Sequence, residues 1–247
     1  MKKIILGVLL VLLFSVGATC ASDANDTIGT EDQQILADSP KTFTELEIDI
    51  NASDDTFDVQ DNYTFNSESD KGYVEISKSD FTINGNNHVI DGNRQSGIFN
   101  ITGNNVTINN LVFINGNSTK GGAIYSTGQI TLNNVTFINN NASRGGAIYS
   151  NGQLILNNAT FISNNVAVGG AIAYYNGILN CSNSRFIDNS ADERGSSIFL
   201  SNAILNVCNS FVTSNRSSKY GQIYASMSTV IMDNVDFVNI SSAYAPA

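Results

Sequence analysis

Apolar and polar positions alternate in short bursts along most of this chain. In residues 130–137, "ITLNNVTF", Ile130, Leu132, Val135 and Phe137 are apolar, and Thr131 and Thr136 stand between them. "LILNNATF" at 154–161 repeats the pattern. A period of two predicts strands, and Thr, Val, Ile and Phe suit a pleated, half-buried surface. The bursts recur on Phe113, Phe137, Phe161, Phe186, Phe211 and Phe237, spaced 24 to 26 residues apart. Gly121, Gly145, Gly169, Gly195 and Gly221 keep step. A period of this length marks a solenoid, a propeller or an array, and a propeller blade needs four strands in roughly 40 residues. Three strands per unit, such as "GGAIYS", "QLILN" and "ATFIS", predict an all-β fold. It is a single-stranded, right-handed parallel β-helix with about 24–26 residues per turn and three strands per turn.

Stacked coils put equivalent residues above one another, so each column has a direction. The phenylalanines read as an inward stack. Three positions before them stand Asn110, Asn134, Asn158, Asn183 and Asn234, with Cys208 as the exception. These read as an internal, structural asparagine ladder at corners that need the left-handed backbone. Ile124, Ile148, Ile172, Ile198 and Ile223 also face inward. By alternation the preceding slot (Ala123, Ala147, Ala171, Ser197, Gln222) and the following slot (Tyr125, Tyr149, Ala173, Phe199, Tyr224) face outward. Phe99, after Ile98, would extend the second of these. An outward aromatic column suggests a contact site, with Tyr125, Tyr149, Phe199 and Tyr224 as candidates. The alternative is rings packed into a corner.

The ends differ from the repeat. Lys2-Lys3, the apolar run from Ile4 to Phe14 and "SVGATCAS" have the form of a secretory signal peptide over 1–21. The run is too short to cross a bilayer comfortably, so the mature chain is expected to hold no transmembrane segment. Residues 22–40 read as a flexible lead-in and 41–60 as an N-terminal cap, with 61–247 forming the β-helix. Within the cap, Leu46, Ile48 and Ile50 alternate as in a strand, while Thr44 and Glu47 would suit a helix capping box. No matching cap is evident after Phe237. A secreted chain would permit a disulfide between Cys181 and Cys208, with two inert buried thiols as the alternative. Twelve Asn-x-Ser/Thr sequons allow a glycoprotein.

Composition narrows the function. Net charge is −10, charged residues are 14%, and Asn occurs 35 times. The acidic surplus reads as spread along the chain. With no basic cluster after Lys3, a nucleic-acid partner is not expected. The repeated Gly-Gly lacks the Gly-Lys-Ser/Thr entry to a helix that a phosphate loop requires. It also lacks the Asp of a calcium-binding β-roll. His88 with Asp91 is an acid/base pair on an irregular turn, and Asp188, Asp192, Asp233 and Asp236 do not recur with the period. No catalytic residues, metal or cofactor are assigned.

"FTINGNNHVIDG", "NVTINNLVFING" and the repeated "GGAIYS.G.L.LNN.TF..N" resemble adhesin-like surface proteins of methanogenic archaea. They also resemble the repeats of chlamydial polymorphic outer membrane proteins, whose GGAI and FxxN hallmarks appear here as Phe137 to Asn140, Phe161 to Asn164 and Phe186 to Asn189. The resemblance covers roughly residues 41 to 240. It implies a pectate-lyase-like β-helix displayed outside the cell, secreted or at the cell surface, that adheres to a host or neighbouring cell surface, glycans included. Unlike the members it resembles, this chain is expected to carry neither a C-terminal barrel nor a surface anchor. A polysaccharide lyase or glycoside hydrolase on the same scaffold, or a structural surface-layer component, are the competing readings.

Overall fold

The computed structural model describes residues 40–213 and 221–240, in a unit that begins at Ser39. The expected signal peptide and all of the lead-in but Pro40 lie outside these residues. The fold is a parallel β-solenoid of about 7 turns. Every strand pair is parallel and joins one coil to the next. Ile130–Asn133, for example, pairs with 106–109 on one side and 154–157 on the other.

The three expected strands are present in each regular coil, as at Ile148–Ser150, Leu154–Asn157 and Thr160–Ile162. A fourth joins them. Asn117–Lys120, Asn141–Arg144, Asn165–Val168 and Ser190–Arg194 form a separate four-stranded sheet on their own side of the solenoid. In the later coils the sides merge into long strands, Ile172–Ser182 and Ile198–Thr213.

Phe113, Phe137, Phe161 and Phe186 stack in register, with ring centroids 4.9–5.0 Å apart and planes within 7°. This matches the roughly 4.8 Å between strands. The next slot belongs to Val212, not to Phe211. The coil after Phe186 holds one extra residue, so Phe211 turns outward, where Arg185 lies over its ring at 5.8 Å. The same slip gives the corner slot to Asn209 instead of Cys208. Asn209 has φ 48° and accepts from Asn234 Nδ2 at 2.8 Å.

The asparagine ladder three positions before each ring is external, which corrects its expected place. Asn110, Asn134, Asn158, Asn183 and Asn234 do adopt left-handed φ of 51–55°. They are exposed, because a corner residue with that backbone projects its side chain away from the core. The internal ladder is made by the FxxN residues Asn140, Asn164 and Asn189, all fully buried. Asn140 Nδ2 donates to Asn164 Oδ1 at 3.0 Å, and Asn164 Nδ2 to Asn189 Oδ1 at 2.9 Å. Each amide also donates to a phenylalanine carbonyl of the preceding coil (Phe113, Phe137 and Phe161). Burial is tolerable because each of these groups has a partner.

The glycine pairs serve the corner before the first strand. Gly121 has φ 62°, and a Cβ there would stand 1.9 Å from Ile124 O. At Gly122 a Cβ would lie 2.2 Å from the carbonyl of Gly146 in the next coil. One glycine is needed for its backbone and the other for the close approach. After this corner two successive residues face inward. Ala123, Ala147 and Ala171, expected outside, are fully buried, and Ser197 and Gln222 nearly so.

Residues 43–52 settle as a helix, Phe43–Ala52. Its capping box is Thr42 with Glu45, two residues earlier than Thr44 with Glu47. That phase sends Phe43, Leu46 and Ile50 into the core and leaves Ile48 exposed. Coil stacking already begins at Thr56–Asp58, which pairs with 82–84.

Candidate functional site

The outward slot beside the first strand carries an aromatic ladder. Tyr125 pairs with Tyr149 in register, and Phe199 with Tyr224. Between them the register places Ala173, which is too small to continue the column. Tyr175, two residues on, swings its ring into the gap. It lies 5.0 Å from Tyr149 and 5.6 Å from Phe199. Tyr175 lies outside the slot that alternation defines, so the column in the sequence does not reveal it. Its sequence signal is the "AYY" at 173–175, which stands where the two preceding coils have "YST" and "YSN". Phe99 does not extend the ladder. It pairs with Ile124, faces inward and meets Phe113 edge-on at 5.4 Å, so Asn100 takes the outward slot.

The ladder therefore runs Tyr125, Tyr149, Tyr175, Phe199, Tyr224 over five consecutive coils. It forms a hydrophobic cluster of its own, separate from the core. Tyr149 and Phe199 are only 9% and 7% exposed, while Tyr125, Tyr175 and Tyr224 are half-buried. Within the stack, ring faces are turned to neighbouring rings. The edges and the tyrosine hydroxyls are what remain for solvent. Burial pushes the Tyr149 and Tyr175 phenols upward, against the opposing pull of Lys120 and Arg144 respectively.

Those cations come from the fourth sheet. Lys120 pairs with Arg144, and Arg194 follows two coils later, after Val168. Lys120 Nζ lies 5.1 Å from the Tyr149 centroid and Arg194 5.3 Å from that of Tyr224. Arg144 lies beside the Tyr175 phenol, which it pulls downward against burial. Among the described residues the ion pairs are those of Lys41 with Asp49 and Asp61. At the other end of the same strands, Asn117, Asn141, Asn165 and Arg94 line a polar cleft of about 250 Å³.

His88 and Asp91 bond to different partners. His88 Nδ1 lies 3.3 Å from Asn62 Oδ1, while Asp91 accepts from the Asn93 backbone N–H and from Asn115 Nδ2. Cys181 and Cys208 are free thiols. Cys208 pairs with Ser182 instead of Cys181, so the two side chains emerge on opposite faces of one sheet. The disulfide is thereby corrected to two thiols. Burial pushes Cys181 up to about 11. No group of three His, Cys, Asp or Glu side chains that could hold a metal is found among the described residues. No described helix is long and apolar enough to cross a membrane.

Neither a protein-family model nor a curated protein matches this chain.

Proposed function

We propose that this protein is an adhesin-like binding module displayed outside the cell, without chemistry of its own. Its aromatic ladder and fourth sheet are the face that contacts glycans on a host or neighbouring cell. One observation carries the reading: a continuous ladder of five rings on the outside of a solenoid whose core is already filled by a second, internal ring stack. The repeat's resemblance to adhesin-like surface proteins and the signal-like N-terminus support it.

The test is adherence of protein-coated beads to cells and to immobilised glycans. Replacing Tyr125, Tyr175 and Tyr224 together by Phe removes hydroxyls while keeping the rings. Weakened adherence with unchanged thermal stability is expected. A wild-type protein that adheres to nothing overturns the reading, and polysaccharide cleavage by the pure chain overturns its non-catalytic part.

A further inference from the structure

Charge is segregated along this chain, contrary to the even spread its totals suggest. Residues 92–187 contain no Asp or Glu, although the chain has 22. They do contain Arg94, Lys120, Arg144 and Arg185. The carboxylate-free segment builds the regular coils, and its fourth-side strands carry three of the four cations or lie beside them. Lys120 and Arg144 end adjacent strands, and Arg94 lines the cleft at the opposite strand ends.

Between them the exposed side chains are neutral and polar: Asn117, Thr119, Asn141 and Ser143. Lys120 and Arg144 are themselves exposed. Each lies beside a tyrosine of the ladder and keeps N–H donors for a ligand. Aromatic edges carry partial positive charge, so the ladder's solvent side reinforces the cations. Acidic residues border the strip, with Asp91 beside Arg94, where it accepts from the Asn93 backbone N–H and from Asn115 Nδ2. Glu75 lies at one end, accepting from Asn100 Nδ2, and Asp192 and Glu193 flank Arg194 at the other.

We infer that this strip binds an acidic polysaccharide, its carboxylate or sulfate groups held by Lys120, Arg144 and Arg94 across adjacent coils. The inference rests on the adhesin-like reading and names its ligand class. Coils repeat at about 4.8 Å, close to the length of one sugar residue. Anionic groups borne on successive sugars would therefore meet Lys120 and Arg144 on successive coils, with Arg94 at the other end of the strands.

The experiment measures binding of the whole protein to a uronate polymer, a sulfated dextran and neutral dextran, at low and high salt. Binding to one or both charged polymers, weakened by salt, and little to neutral dextran is expected. The two charged arms show which anion is preferred. The pair Lys120→Gln and Arg144→Gln should weaken that binding by about tenfold. The pair Lys71→Gln and Arg185→Gln, away from the strip, should leave it unchanged. Equal binding of neutral dextran, equal loss in both pairs, or no binding to either charged polymer overturns the inference. In the bead assay, full adherence by the Lys120→Gln and Arg144→Gln protein sinks this inference alone, whereas absent adherence by wild type sinks the adhesin-like reading itself.

Discussion

Tyr175 and Tyr149 meet ring to ring at 5.0 Å, although the strand register pairs Tyr149 with Ala173. One small residue in the column and one aromatic residue beside it thus restore a ladder that would otherwise break in the middle.

Tyr175→Ala should accordingly reopen the gap. Loss of a half-buried ring with aromatic neighbours on both sides is expected to cost about 2 kcal/mol. Tyr175→Phe, which keeps the ring, should be nearly neutral. Urea unfolding of both variants checks this, and equal stability of Tyr175→Ala and wild type would show that the ladder contributes nothing to folding.

The two asparagine ladders should respond very differently. Asn164→Ala removes the acceptor of the Asn140 backbone N–H and amide, and the donor to the Phe137 carbonyl. Leaving these groups buried without partners should cost about 3 kcal/mol or more. Asn158→Gly keeps the left-handed corner, where φ is 55°, and loses mainly one exposed side-chain bond, to Asn134. Its effect should stay within about 1 kcal/mol. Thermal and denaturant unfolding of the two proteins compares them directly.

The N-terminal helix is held by charges at both ends. Asp70 accepts from the backbone N–H groups of Phe43 and Thr44, and Lys78 Nζ donates to the carbonyls of Ile50, Asn51 and Ser53. Each charge complements the helix dipole. Partial burial works to raise the Asp70 carboxyl, but hydrogen bonds from Asn66, Thr44 and Phe43 outweigh it and hold the group below its ordinary value. A depressed carboxyl stabilises the fold above its unfolded pKa of about 4. That contribution is lost as pH falls through the lower folded value. Stability measured from neutral to acidic pH should therefore drop less steeply below about pH 4 in Asp70→Asn than in wild type, from a lower neutral-pH starting point.

The cysteines should stay reduced without any reductant. Intact mass should show no Cys181–Cys208 crosslink, and a thiol-reactive probe should label Cys208 well before Cys181. Cys181 is only 2% exposed, and its thiolate is disfavoured by burial. Recovery of a linked Cys181–Cys208 peptide would contradict the register in this region.

Much of the fold was legible because a solenoid is quasi-one-dimensional: each coil meets only its neighbours, so the period of the sequence is the period of the structure. The regular coils bearing Phe113, Phe137 and Phe161 follow directly from it. Legibility failed where two adjacent residues could both fill a slot. Phe211 and Val212 are both apolar, and pairing across the sheet, not residue type, selects Val212. The cation strip was hidden for another reason. Arg94, Lys120 and Arg144 are far apart in sequence and form no cluster there, and the net charge of −10 masks the carboxylate-free stretch around them.

By itself, then, the sequence determined the parallel solenoid, its inward phenylalanine and isoleucine columns and the glycine corners. These rest on local alternation and a fixed repeat, which are properties of the chain alone. Only the tertiary structure decided which asparagines are buried, that Tyr175 completes the ladder, that the thiols face apart, and that Lys120 and Arg144 stand side by side. Each of those depends on the register between coils, where a shift of one residue moves a side chain from one face of the sheet to the other.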